Sequence, residues 1–196
     1  QGIKLASVES KRNFGNVVRY NTCYDNLGTG ISTYKDDCFQ IYYNVMYSNA
    51  NYGIAVSDYV GGVIYNNSIY NAGKSGIFLQ TGKESNVILK NNIISSSEWN
   101  CGIRVLNTAI GRFTSDYNDY YDNYFGNLDG AFYDLFNWRT KTNQDANSLD
   151  SDPLFINGSN SNFALQASSP AIEAGTDVGL AQDYAGNTVP YGGSID

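Results

Sequence analysis

Lys35-Asp36-Asp37 and Asp58-Tyr59 form the most chemically suggestive grouping in the chain. Lys35 and Asp58 are 23 residues apart. If that step is one winding of the backbone, they are neighbours in one column, with Asp36 or Asp37 roughly 5–10 Å from Asp58. Three kinds of chemistry compete for this cluster. Asp36, Asp37 and Asp58 can hold Ca²⁺ through oxygen ligands. The ion would neutralise a substrate carboxylate and acidify the adjacent C–H, and Lys35, kept neutral by the metal's charge, would abstract the proton. Alternatively, the same acids act as general acid and base in a hydrolysis, their separation deciding the stereochemistry. In the third reading Lys35 and Asp58 are an exposed ion pair worth under about 1 kcal/mol, and the rest is a solvated loop.

One absence and one distance narrow the field. The chain has no His, so a His base, a His metal ligand and the nucleophilic triad are all excluded. Of the cations, Lys35 and Arg104 fall three windings apart, roughly 15 Å, too far to work on one bond. Lys83 is about one winding from Arg104 and forms with it a second candidate pair. Asp116, Asp119 and Asp122, spaced by three in a Tyr-rich segment, alternate faces on a strand and read as solvated acids. Cys23, Cys38 and Cys101 form no CxxC pair and no disulfide framework.

The elements that position these residues are set by a repeat. Asn21, Asn44 and Asn67 keep a 23-residue step, as do Gly30-Ile31, Gly53-Ile54 and Gly76-Ile77. A period in the twenties allows leucine-rich repeats, helical solenoids or parallel β-helices. Ile and Val stand where a leucine frame would need Leu, and no helical periodicity runs through the unit. Short runs of alternating β-branched and polar residues, broken by Gly, Asn and Ser, say strand and turn. The prediction is all-β: a right-handed parallel β-helix solenoid with coils of about 23 residues, three short strands to a coil.

The inward columns follow. The first strand contributes Ile31, Ile54, Ile77 and Ile103, the second Val18, Ile41, Ile64 and Leu89, the third Cys23, Met46, Ile69 and Ile94. Each buried aliphatic contributes roughly 1.5–3 kcal/mol. Asn21, Asn44, Asn67, Asn92 and Asn118 are expected to stack as an amide ladder and to take the left-handed dihedrals of the bend before the third strand. Coils are assigned to residues 1–126, with an aromatic-rich strand over Tyr117 to Phe125, and a capping segment of the same domain to 127–196. In the cap, Asp134 is the N-cap of a short helix reaching Asn143, with Leu135, Trp138 and Arg139 on one face. Such a cap covers the unpaired edge of the last coil.

Bulk composition agrees. The 196 residues suffice for one domain with a sizeable core, and 20 Gly with 16% charged residues suit β structure. A net charge of −7 argues against nucleic acid, which needs a basic stripe. No apolar run is long enough to span a membrane as a helix.

The Asn and Gly-Ile coils are followed by Ser115-Asp116-Tyr117-Asn118, Asp145-Ala146-Asn147-Ser148, Asp152-Pro153-Leu154-Phe155, Ser169-Pro170-Ala171-Ile172 and Ala174-Gly175. Over almost its whole length the chain thereby resembles the C-terminal part of right-handed β-helix proteins of the pectate lyase-like superfamily. The resemblance implies a secreted or cell-surface protein, with further coils before Gln1-Gly2 and another strand after Ile195-Asp196. It also implies a polysaccharide partner in a groove along the outer face of the first strands. That face carries Lys4, Ser32, Ala55, Phe78 and Arg104 in one column, and Ala6, Tyr34, Ser57, Gln80 and Leu106 in the next. Tyr34, Phe78, Gln80, Lys83, Trp99 and Arg104 are the expected substrate contacts, and Lys35, Asp36, Asp37 and Asp58 the expected catalytic or Ca²⁺-binding set. A polysaccharide lyase or glycoside hydrolase is the first expectation. A noncatalytic carbohydrate-binding or structural module is the second, and a surface protein that stacks end to end the third.

Overall fold

The structure, a computed structural model, describes residues 2–6, 13–80, 86–95, 101–106, 109–121 and 124–189. Three parallel sheets wind around one core. The first holds Ile3–Ala6, Ile31–Tyr34, Tyr52–Ser57, Ser75–Leu79, Cys101–Val105 and Tyr124–Leu128 in that order, closed by the antiparallel strand Ala131–Tyr133. The second holds Val17–Arg19, Phe39–Tyr42, Gly62–Tyr65, Val87–Lys90 and Phe113–Asp116. The third holds Thr22–Tyr24, Val45–Tyr47, Ser68–Tyr70, Ile93–Ser95 and Asp119–Tyr121. The segment expected as one strand from Tyr117 to Phe125 therefore divides between the third sheet and the first.

Register is as the repeat predicts. Ile31, Ile54, Ile77 and Ile103 pair in one file, and all four are fully buried. The inward columns of the second and third strands are likewise core. Like packs on like at the interstrand spacing of about 4.8 Å.

Packing explains the glycine that precedes each of these isoleucines. A Cβ on Gly30 would meet Met46, on Gly53 Ile69, on Gly76 Ile94 and on Gly102 Tyr120, in each case the inward third-strand side chain of the same coil. At Gly126 the obstructing group is Trp138. The indole thus fills in the final winding the place that a third-strand side chain fills in the others.

The asparagine ladder is complete. Each Nδ2 donates to the next Oδ1 at 3.0 Å from Asn21 through Asn44, Asn67 and Asn92 to Asn118. Asn44 and Asn67 also donate to backbone carbonyls of their own and the preceding coil. The left-handed bend, however, lies one residue earlier than expected, at Tyr20, Tyr43, Asn66, Asn91 and Tyr117. The ladder residues are free of that duty because their amides, not their backbone, hold the corner.

The helix forms as expected. α1 (Leu135–Thr142) starts at Asp134, whose carboxylate accepts from the Asn137 N–H at 2.7 Å, and ends at left-handed Asn143. Trp138 packs against Phe113 and Phe125 and donates to Asp145 Oδ2 at 2.8 Å. Asp145 Oδ1 accepts from the Ser115 and Ser148 hydroxyls, and Ser148 Oγ takes the Asn118 N–H. The ladder therefore terminates on a buried polar cluster. Beyond Leu149 the expected cap over 127–196 differs. Phe163 returns to lie on Tyr47 and Tyr70, Thr176 meets Asn91 and Tyr184 reaches Thr22 and Tyr20. The segment runs back along the flank of the coils as a strap, because the outward tyrosines of the third sheet offer it apolar surface.

Candidate functional site

The outer face of the first sheet is built as the columns require. Lys4, Ser32, Ala55, Phe78 and Arg104 stand in register, and Asn127 extends the file. In the next file Tyr34 is exposed, and the Ser57 hydroxyl donates to Gln80 Oε1 at 2.8 Å.

Two residues join this face that alternation alone does not place there. Tyr52 lies two positions before inward Ile54 and should also point in. Gly53 is instead buried beside Ile54, so alternation breaks and the Tyr52 ring turns out. It stacks on Phe78 at 4.5 Å between centroids, 17° from parallel. Lys74 Nζ lies 5.7 Å from the Tyr52 ring and the Arg104 guanidinium 5.7 Å from the Phe78 ring. The result is a ridge of two rings flanked by two cations. The signal available in the sequence was the Gly-Ile pair itself, which puts two adjacent residues on the inside.

The expected catalytic corner is assembled differently. Lys35 and Asp58 do take equivalent positions, both left-handed and directly after the paired Tyr34 and Ser57. Lys35 Nζ lies 5.3 Å from the Tyr34 ring. Asp36, by contrast, is fully buried. It sits in a short strand, Asp36–Asp37, paired with Asn13–Phe14, and its Oδ1 accepts from Asn16 at 3.0 Å. Burial pushes its carboxyl above the usual range; the Asn16 bond opposes that shift and the Asp37 charge adds to it. Asp37 Oδ1 accepts the Val60 N–H at 2.9 Å. Asp36 and Asp37 thus hold a corner of the coil. Among the described residues no three His, Cys, Asp or Glu side chains gather to hold a metal ion. Lys83 and Trp99, two expected contacts, lie outside the described residues, as does Asp122.

Asp119 overturns its reading as a solvated acid. It is buried under the strap, where Oδ1 accepts the Ser151 N–H at 3.1 Å and Oδ2 has no partner. Burial pushes its carboxyl up to about 7; the Ser151 bond opposes this, and Asp150 and Asp152 add to it. Asp119 also lines a cavity of about 700 Å³ between the third sheet and the strap, a feature that no spacing in the sequence announced.

Residues 1–149 match the family model of the right-handed β-helix region. The chain belongs to that family. No curated protein and no solved structure matches it significantly. The match covers the coils and the turn that ends the asparagine ladder, and stops where the strap begins. Within this right-handed β-helix no helix is long and apolar enough to cross a membrane among the described residues.

Proposed function

We propose that this β-helix binds an extended acidic polysaccharide along the outer face of its first sheet, and that it works there as a binding module. The observation that carries the reading is the Tyr52–Phe78 stack flanked by Lys74 and Arg104. Sugar rings present C–H faces to aromatic side chains, while uronate carboxylates suit guanidinium and ammonium groups. Neighbouring Ser32, Ala55 and Ser57 are small and leave the face shallow enough for a chain to lie across several coils. Binding is favoured over bond cleavage because Asp36, one of the acids expected to do chemistry, is directed into the fold and bonded to Asn16.

Affinity electrophoresis through gels containing polygalacturonate, alginate or a neutral glucan tests the reading. Retardation is expected on a polyuronate and not on the glucan, and Phe78→Ala or Arg104→Ala should weaken it by about tenfold, or about 1.4 kcal/mol. Equal mobility in every gel would sink the proposal. A rise in absorbance near 235 nm, the mark of elimination, would instead make the protein a lyase.

A further inference from the structure

The cavity beneath the strap has a different chemistry from the first-sheet face. Its floor is the outward file Thr22, Val45, Ser68, Ile93 and Asp119, paired coil by coil. Four steps of about 4.8 Å make it roughly 19 Å long. The roof is held at three points. Phe163 lies against Tyr47 and Tyr70. The Asn91 amide exchanges two hydrogen bonds with the Thr176 backbone, at 2.8 and 3.0 Å. The Tyr184 and Thr22 hydroxyls meet at 3.1 Å.

Three properties define what would fit. The volume, about 700 Å³, is that of a small-molecule site. Among the described residues the charged lining is acidic only, Asp119 and Asp183, with no Lys or Arg. Most of the amides on the wall are already engaged: Asn67, Asn92 and Asn118 in the ladder, Asn91 with Thr176, and Asn147 with Asp116. Beyond these, the wall offers a sugar the hydroxyls of Tyr43, Tyr47, Tyr117, Ser68 and Ser161 and the Asn66 amide, and any sugar hydroxyl left unpaired against the apolar residues is costly. An anion would meet two carboxylates and no cation among these residues. Val45, Ile93, Leu149, Leu165, Phe163 and Ile172 give the walls their character.

We propose that this channel binds an elongated, uncharged and largely apolar small molecule, an alkyl chain or flat ring system lying along the coil axis. Its floor runs from Thr22 at one end to Asp119 at the other. This site is separate from the polysaccharide face, on another sheet, and does not depend on it.

The test uses the full chain and N-phenyl-1-naphthylamine, a neutral apolar dye that fluoresces when removed from water. Saturable binding of one dye per chain is expected, with the anionic 8-anilinonaphthalene-1-sulfonate at least about tenfold weaker. Ser68→Phe, which places a ring in the middle of the floor, should abolish binding while circular dichroism and the melting temperature are kept. Leu165→Trp, on the inward side of the roof strand with Phe163, fills the channel from above and decides the matter if the first variant does not fold. Absence of saturable binding, equal binding of the sulfonate, unchanged binding in the folded variants, or displacement of the dye by a neutral oligosaccharide would each overturn the proposal.

Discussion

A buried carboxyl with a single hydrogen bond makes Asp119 the residue whose titration should be felt by the whole fold. Its unfolded pKa is about 3.9, and burial raises the folded value to about 7. The folded state therefore holds the proton more tightly, so stability is greatest below about pH 4 as far as this group is concerned. It falls as pH rises toward 7, by on the order of 4 kcal/mol. Asp36 and Asp145 are also raised by burial and slope the same way. Asp119→Asn should consequently flatten, without abolishing, the loss of stability between pH 4 and 7 in urea unfolding series; an unchanged slope would place the titration elsewhere. Asp119 was not legible in the sequence because its outward position on a strand normally means solvent. Only the strap, which follows no period, buries it. Asp36 escaped for a related reason: two residues past the regular strand, alternation no longer says which way a side chain points.

Elements divide into those that repeat and those that do not. The inward files and the ladder were readable because one winding brings residues 23 apart into contact, and Asn21 to Asn44 is such a pair. The helix was readable from Asp134 and the spacing of Leu135, Trp138 and Arg139. The position of the left-handed bend was not, since the tyrosines that take it at 20, 43 and 117 carry no preference for that conformation. Two substitutions separate packing from hydrogen bonding in this scaffold. Gly76→Ala drives a methyl into Ile94 and the Gly102 carbonyl, and should cost about 1–3 kcal/mol by overpacking. Asn67→Ala removes the donor to Ile41, Tyr65 and Asn92 and the acceptor for Asn44. With several buried groups orphaned, at about 1–3 kcal/mol each, its cost should exceed that of Asn21→Ala, at the half-exposed end of the ladder. Chemical denaturation of the pair provides the check: equal losses would mean that the ladder is not what holds the corner.

At the scale of the whole molecule, contacts pass from coil to neighbouring coil, so a defect in a solenoid should spread by one winding and then weaken. Trp138 offers the sharpest test. Its indole lies on Phe113 and Phe125, obstructs any side chain at Gly126 and anchors Asp145, closing the end of the core that would otherwise be an open edge. Trp138→Ala should cost about 3–5 kcal/mol as a cavity at a fully buried site. The loss should be local in hydrogen exchange: amides of Phe113–Asp116, Asp119–Tyr121 and Tyr124–Leu128 should lose protection first. Those of Phe39–Tyr42 and Val45–Tyr47, three coils away and covered by the strap through Phe163, should keep theirs. Uniform loss of protection across all three sheets would instead mean that the coils and the strap unfold as one cooperative unit, with the cap setting the stability of the entire stack.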